Sequence, residues 1–178
     1  MLGSTARLAR VMVMMSRPPV LVVLFLFAAI GMAQAGAAEL LDLRFLGCLV
    51  VVALCFVHAT TLNDIADEQI DRINIPQARG RPLLGGQASR AELVVMGSAC
   101  AALALAIGFS VNPWVGLAVL AGVLFNGAYS LRPIRLSGRG LATSLLLPLG
   151  YTALPYLVGA LSVAPGLSGR GWLILAAV

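Results

Sequence analysis

The sequence predicts an all-α protein whose helices cross a membrane several times within one domain. Hydrophobic residues make up 60% of the chain and charged residues 11%, whereas an ordinary soluble domain carries roughly 25% charged residues. The apolar runs are continuous, which favours helices over the two-residue alternation of an outer-membrane barrel. We expect each crossing to be helical, because lipid offers no partner to an unpaired backbone group.

Five uncharged runs reach the length of about 20 residues that a helix needs to cross a hydrocarbon core of roughly 30 Å. A sixth run begins at Trp172 and reaches Val178. We expect this run to be the start of a further helix, so residues 1–178 are predicted to form a single transmembrane domain that is incomplete at its C-terminus. The five predicted spans are residues 18–38, 45–62, 93–111, 113–131 and 141–162.

The basic residues are distributed unevenly among the connections between these spans. All twelve are Arg, and ten lie before the first span, between the second and third, or between the fourth and fifth. Arg-rich loops stay in the cytoplasm, so we expect a multi-pass protein of the cell membrane whose N-terminus and loops 63–90 and 130–140 are cytoplasmic. The net charge of +5 then reflects topology and attraction to anionic membrane lipids. Basic residues do not alternate with stacking aromatics, so no nucleic-acid partner is expected.

Local signals mark the ends of the predicted helices. The first span imitates a secretory signal peptide, but it is longer than a signal core and further spans follow, so we expect it to be retained. Ser89 stands three residues before Glu92, which predicts a capping box at the start of the third helix. Asn112 followed by Pro113 predicts the cap and first turn of the fourth. The fifth span contains two prolines, which remove backbone donors and predict a kink: Pro148 and Pro155.

The stretch NDIADEQID, residues 63–71, holds four of the chain's seven acidic residues. If the second helix continues through it, Asn63, Asp67 and Asp71 lie within an arc of about 80° and rise about 12 Å along one face. Asp64 is expected to point elsewhere. A carboxylate at mid-bilayer costs about 2.5–3.5 kcal/mol, so we expect these acids at the end of a span, facing water. Two carboxylates and an amide oxygen suit Mg²⁺, which completes its shell with water and phosphate oxygens.

Arginines follow the acidic stretch on the same predicted side of the membrane. Their planar guanidinium groups suit two-point contacts with phosphate. Metal-binding acids beside them at a membrane surface indicate a diphosphate attached to a lipid. The ordinary alternative is a solvated flank, but acids contribute little to topology, and the repeated spacing favours a site. The candidates are Arg72, Arg79 and Arg81 in the first loop, Arg132, Arg135 and Arg139 in the second, and the neutral donors Asn126, Tyr129 and Ser130.

Three motifs in this order resemble those of the UbiA-type intramembrane prenyltransferases. They are NDIADEQID, then DRINIP followed by RPLLGG, and then YSLRPIRL, and the resemblance extends from residue 16 to about residue 160. It implies a nine-helix fold, of which this chain holds five spans and the start of a sixth. It also implies Mg²⁺-dependent transfer of an isoprenoid chain from a prenyl diphosphate to a small lipophilic acceptor. The acceptor is expected to be aromatic, with glycerol phosphate or a chlorophyll precursor as further cases.

The resemblance also implies roles for single residues. Asn63, Asp67 and Asp71 match the residues that bind the diphosphate through Mg²⁺. The expected catalytic residues, which stabilise charge on the leaving diphosphate, are Asp67, Asp71, Arg81, Tyr129 and Arg135. Further contacts with the diphosphate are expected from Arg17, which matches a first-helix arginine, and from Asp64, Arg72, Arg79, Ser130 and Arg139.

Two departures from the family pattern bear on function. Ser137 stands where Lys is common, and no acidic residue follows Glu92. Because the family carries a second Asp-rich motif on a later helix, the chain as given is expected to be inactive. Two alternatives remain. One is a phosphatidyltransferase of the CDP-alcohol type, although its D-G-x-x-A-R start is missing. The other is a non-catalytic transporter or structural membrane protein, although the acids of transport paths lie within spans.

Overall fold

The computed structural model describes residues 2–37, 42–75, 80–169 and 171–173, and no β-strand occurs among them. The predicted all-α fold is confirmed. A 3₁₀ turn, Leu136–Gly138, and a π-helical turn, Leu149–Ala153, complement the α-helices. In chain order the α-helices are α1 Leu2–Ser16, α2 Pro18–Gln34, α3 Leu43–Ala66, α4 Glu68–Asn74, α5 Arg90–Val111, α6 Pro113–Ser130, α7 Leu141–Pro148 and α8 Leu154–Val163.

Four helical segments are long and apolar enough to cross a membrane: α3, α5, α6 and residues 146–163, which join the end of α7 to α8. The pair α1 and α2 is a fifth candidate and is bent by 58° between its two helices. These segments correspond to the five predicted spans. Residues 174–178, where most of the predicted sixth run falls, lie outside the described residues.

The second span, α3, lies at the centre of the bundle and contacts α1, α2, α5, α6 and α8. Its run of apolar residues has no polar face, and side chains around its length such as Cys48, Val51 and Val57 are buried. Large apolar side chains on the outer helices, among them Val95 and Leu124, are exposed instead, as expected of helices that face lipid.

The first and fifth spans approach each other closely where each carries a glycine. Gly31 of α2 lies against the backbone of Tyr156 in α8, and Gly159 of α8 lies against the backbone of Ala28 in α2. A Cβ atom at either glycine would overlap the opposing backbone. Small residues allow membrane helices to pack this tightly, and here the contact brings the fifth span to the side of α2.

The predicted caps are present. Ser89 Oγ accepts from Glu92 N at 3.2 Å, and Glu92 Oε2 accepts from Ser89 N at 2.8 Å, which completes the capping box of α5. Asn112 Oδ1 accepts from Trp114 N at 2.9 Å and caps α6. The sequence therefore predicts the starts of α5 and α6 well, because each is fixed by a capping side chain next to it in the chain.

The two prolines of the fifth span are accommodated by a turn of wider helix. α7 ends at Pro148, the π-helical turn follows it, and Pro155 occupies the first turn of α8. Thr152 Oγ1 donates to Pro148 O at 2.5 Å. The π-turn supplies the local adjustment by which a membrane helix tolerates a missing donor.

Candidate functional site

The acidic stretch lies at the junction between α3 and α4. The continuous helix assumed in the sequence analysis is interrupted, because α3 ends at Ala66 and Asp67, with φ −98° and ψ 5°, separates the two helices. Arg90 Nη2 donates to Ile65 O at 3.3 Å, one of the carbonyls at the end of α3. Such contacts from basic side chains stabilise a helix end.

The break leaves the helical spacing of the candidate metal residues almost unchanged. Asp67 N donates to Asn63 O at 2.9 Å, and Asp71 N donates to Asp67 O at 2.8 Å. These four-residue hydrogen bonds are those of an α-helix. Asn63, Asp67 and Asp71 therefore follow one another at one-turn intervals.

Asp64 does not point away from the other acids, which corrects the expectation. Residues seven apart differ by only about 20° around a helix, so Asp64 and Asp71 share a face. Arg81 lies between them, with Nη1 3.4 Å from Asp64 Oδ1 and Nε 3.0 Å from Asp71 Oδ2. Arg81 Nη1 also donates to Asn63 Oδ1 at 3.3 Å, and Leu83 N donates to Asp64 Oδ2 at 3.3 Å. One guanidinium thus balances two buried carboxylates.

A second arginine binds the remaining acid of the group. Arg135 Nη2 donates to Asp67 Oδ1 at 2.8 Å, and Asn63 Nδ2 donates to Asp67 Oδ2 at 2.6 Å. Arg135 has a left-handed backbone, with φ 38°, at the start of the 3₁₀ turn. Its Nε is buried and has no hydrogen-bond partner among the described residues. The loop after α6 therefore brings a partly unsatisfied donor to the end of α3.

A cavity of about 130 Å³ opens beside these charges and extends between the helices. Its polar wall consists of residues near the ends of α3 and α6 and the residue before α2. We call this wall, together with the neighbouring acids Asp64, Asp67 and Asp71 and their partners Arg81 and Arg135, the charged end. The residues of the charged end that line the cavity are Arg17, Thr60, Asn63, Asn126, Tyr129 and Ser130.

The rest of the cavity wall is apolar and partly aromatic. Phe56 and Tyr151 meet edge to face with ring centroids 5.8 Å apart, and Phe125 and Tyr129 lie 6.0 Å apart. The aliphatic part comes from α2, α3, α7 and α8 and includes Leu24, Val52, Leu147, Leu154 and Val158. The cavity is therefore suited to a molecule with an anionic head and an apolar tail.

The structure does not bring every predicted diphosphate residue to this place. Arg72 is largely exposed and pairs with Glu68 at 2.8 Å. Arg139 donates to Ile134 O at 2.9 Å and 3.1 Å through its Nη2 and Nε. Arg79 lies outside the described residues. By contrast, Arg17, Tyr129 and Ser130 all line the cavity.

Sequence reasoning missed Thr60, Phe56 and Tyr151 as wall residues. A signal for the first two was present, because residues 52, 55, 56, 59, 60 and 63 repeat at three- and four-residue intervals along one face of α3. No comparable signal distinguishes Tyr151 from the other apolar residues of its span.

Glu68 has a structural role outside the cavity. It accepts from Arg72 Nη2 at 2.8 Å and from Arg90 Nη2 at 2.6 Å. The Arg72 guanidinium, and after it Arg90, hold the pKa of the Glu68 carboxyl below its ordinary value. The pair with Arg72 lies within α4, and the pair with Arg90 connects α4 to the start of α5.

The residues at the charged end fit Mg²⁺. Among the described residues, no three His, Cys, Asp or Glu side chains lie close enough to share one ion. Magnesium, however, needs only one or two protein carboxylates when substrate phosphates complete its shell. Asp71 Oδ2 is buried and, within the part of the chain that the structure describes, has no hydrogen-bond partner despite its contact with Arg81. Together with Asn63 and Asp67 it forms a donor set of two carboxylates and one amide oxygen.

Comparison with known proteins identifies relatives of one kind. The model of the UbiA prenyltransferase family matches residues 22–178. The chain is 28% identical over 141 residues to the bacteriochlorophyll synthase 34 kDa chain of Chloroflexus aurantiacus, covering 79% of this chain and 44% of that one. It is 35% identical over 105 residues to the homogentisate phytyltransferase of Synechocystis, covering 59% and 33% respectively. The chain thus spans less than half the length of these relatives.

A solved structure has the same fold. It is that of a UbiA homolog from Archaeoglobus fulgidus bound to DMAPP and Mg²⁺, which matches with a TM-score of 0.74 at 20% sequence identity. The match covers 93% of this chain and 58% of that one. At this identity the likeness concerns the arrangement of the membrane helices.

Proposed function

Because the chain belongs to the UbiA prenyltransferase family, we propose that it binds a prenyl diphosphate with Mg²⁺ in a membrane and serves the transfer of the isoprenoid chain to a small lipophilic acceptor. One observation carries the proposal. A cavity with an apolar, aromatic interior ends at Arg17 and Asn63, and Asn63 contacts Asp67 and Arg81 of the neighbouring cluster of acids and arginines. A prenyl diphosphate has the same division of charge.

The charged end would hold the diphosphate. Asn63, Asp67 and Asp71 supply the oxygens for Mg²⁺, which when bound neutralises the phosphates and stabilises the charge of the leaving group. Arg17 lines the cavity, and Arg81 and Arg135 contact the metal-binding acids. Guanidinium groups bind phosphate as well as carboxylate. When the diphosphate binds, Arg81 and Arg135 would each replace a contact with a carboxylate by a contact with a phosphate oxygen.

The apolar interior would hold the isoprenoid chain. Leu24, Val52 and Val158 supply aliphatic surface, and Phe56 and Tyr151 supply aromatic rings. Ring faces attract cationic charge, and an apolar wall keeps water from a carbocation. The names of the relatives, bacteriochlorophyll synthase and homogentisate phytyltransferase, favour a ring compound as acceptor.

Binding of the prenyl diphosphate is the direct test of this site. Protein in lipid nanodiscs is titrated with dimethylallyl and geranyl diphosphates with and without Mg²⁺. We expect Mg²⁺-dependent binding that Asp71→Asn weakens at least about tenfold, since the change removes a metal ligand.

Glu68→Gln is the matched control, because Glu68 is an acid of the same short helix that pairs with Arg72 and Arg90 and is not one of the proposed metal ligands. Its affinity should equal that of the wild type. Absence of Mg²⁺-dependent binding by the wild type would overturn the proposal, and equal losses in the two variants would overturn the metal role of Asp71.

A further inference from the structure

Arg17 occupies an unusual backbone conformation between α1 and α2. Its φ of 42° and ψ of 70° are left-handed, a region that residues other than Gly, Asn and Asp rarely adopt. Pro18 disfavours the right-handed helical conformation in the residue before it, so the helix breaks here and bends by 58°. The Arg17 side chain lines the cavity. Its direction depends on how the preceding turn of α1 is held.

Three of the last four carbonyls of α1 have identified donors. Ser16 Oγ donates to Val13 O at 2.8 Å, and Arg17 N donates to Met14 O at 3.3 Å. Met15 O instead accepts from Thr60 Oγ1 of α3 at 2.8 Å. Carbonyls at a helix end require such partners, and this one comes from a different span. Thr60 itself is buried and lines the same cavity as Arg17.

We propose that Thr60 is a positioning residue that fixes the end of α1 and thereby aims Arg17 at the charged end of the cavity. This inference rests on the proposed function, in which Arg17 contacts the diphosphate. The hydroxyl of Thr60 reaches the backbone two residues before Arg17, so it acts on the place where the chain turns. Packing of Val11 and Met15 of α1 against Val57 and Leu93 holds the rest of that turn.

The neighbouring threonine is a matched control. Thr61 is also buried, and its hydroxyl donates to His58 O at 2.8 Å within its own helix. The single hydroxyl proton of Thr60 is instead shared between Met15 O of α1, at 2.8 Å, and Val57 O of its own helix, at 3.0 Å. Replacement by valine keeps the shape of either side chain and removes only the hydroxyl. The two variants therefore differ in the contact between α3 and α1.

Affinity for geranyl diphosphate with Mg²⁺ is measured in nanodiscs, with geraniol as the ligand that lacks phosphates. Loss of one hydrogen bond corresponds to about a fivefold change, so Thr60→Val should bind geranyl diphosphate about fivefold more weakly and geraniol unchanged. Thr60→Ser and Thr61→Val should retain wild-type affinity. In an Arg17→Ala background Thr60→Val should add no further loss, since residues that act through one another are not additive.

Amide hydrogen exchange gives a readout without ligand. Exchange across residues 11–17 should be faster in Thr60→Val than in Thr61→Val, and Thr60→Ala replaces the valine variant if the latter does not fold. Equal exchange in the two variants, or a full additional loss in the Arg17→Ala background, would overturn the role of Thr60. If the wild type does not bind geranyl diphosphate, the proposed function fails, and the exchange comparison still decides whether Thr60 fixes the end of α1.

Discussion

Arg81 is the residue on which the charged end depends most directly. Asp64 is 1% exposed and Arg81 is 14% exposed, so their pair is almost removed from water. Asp71, on the next helix, contacts the same guanidinium. Buried charges are tolerated when they are paired and become costly when one partner is removed.

Arg81→Ala should therefore destabilise the fold strongly. Removing one partner of a buried pair costs about 3–5 kcal/mol, because Asp64 and Asp71 would both lose their countercharge. The free energy of unfolding is measured by titration with a denaturing detergent. Adding Asp64→Asn to Arg81→Ala should restore part of the loss.

Arg72→Ala is the control for this comparison. Arg72 forms an exposed pair with Glu68, and such pairs contribute about 0–1 kcal/mol. If the two arginine variants had similar free energies of unfolding, the buried pair would not be a main determinant of stability.

Glu68 makes the stability of the folded protein dependent on pH. Its pKa is lowered, first by Arg72 and then by Arg90, so the folded protein binds this proton less readily than the unfolded chain. The stabilisation is complete above the ordinary carboxyl pKa of about 4.3 and is lost as the pH falls through the lowered value. The difference in Tm between wild type and Glu68→Gln should be constant from about pH 7 to pH 5 and shrink as the pH falls below the ordinary value of about 4.3. A difference that grew on acidification would contradict this sign.

At the level of helices, the sequence predicts what depends on neighbours along the chain. Apolar runs predict the spans, and the Ser89 and Asn112 caps predict where α5 and α6 begin. The break at Asp67 is not predicted, because an i→i+4 spacing is compatible with both a continuous and an interrupted helix. The spacing does predict that Asn63, Asp67 and Asp71 follow one another at the C-terminal end of the second span, as they do in the structure.

The charge pairing could not be predicted in the same way. Arg135 and Asp67 are 68 positions apart, and no local pattern shows which loop arginine turns inward. The sequence treats Arg72, Arg135 and Arg139 alike as phosphate ligands. In the structure Arg135 contacts Asp67, whereas Arg72 pairs with Glu68 and Arg139 donates to a backbone carbonyl. Knowledge of which helices are neighbours is needed before the loops can be distinguished.

The contact between α2 and α8 leaves no room for a larger side chain at its glycines. Gly31→Ala should reduce the free energy of unfolding, because the new Cβ would overlap the backbone of Tyr156. Overpacking costs typically about 1–3 kcal/mol. The same variant should also weaken prenyl diphosphate binding, since α2 and α8 both line the cavity.

Gly47→Ala provides the matched comparison within α3. A Cβ there would meet only Val111 Cγ2, at an ordinary contact distance of 3.8 Å. Alanine is the better helix former by about 1 kcal/mol, so this variant should be neutral or more stable. A loss equal to that of Gly31→Ala would mean that the glycines act through backbone freedom and not through packing.

On the scale of the whole molecule, the spans form a multi-pass membrane protein, and most of the charged residues that the structure describes lie at one end of the bundle. The acids of the α3–α4 junction, Arg17 and the loop after α6 lie at that end, and the cavity opens there. A polyprenyl tail dissolves in the bilayer whereas its diphosphate does not. A cavity with its polar part at the membrane surface therefore allows such a ligand to keep both parts in suitable surroundings.

Orientation in the membrane supplies the last prediction. The loop after α6 carries Arg132, Arg135 and Arg139, and the positive-inside rule predicts that it faces the cytoplasm. Gly138 in this loop and Gly166 beyond α8 are both exposed, and a Cβ at either would meet no described residue within 4 Å. Cysteine at either position should be tolerated.

In intact cells a membrane-impermeant maleimide should label Gly166→Cys at once and Gly138→Cys only after permeabilisation. The native cysteines among the described residues are buried, which keeps the background low. The reverse labelling pattern would place the charged end outside the cell and would contradict the positive-inside rule.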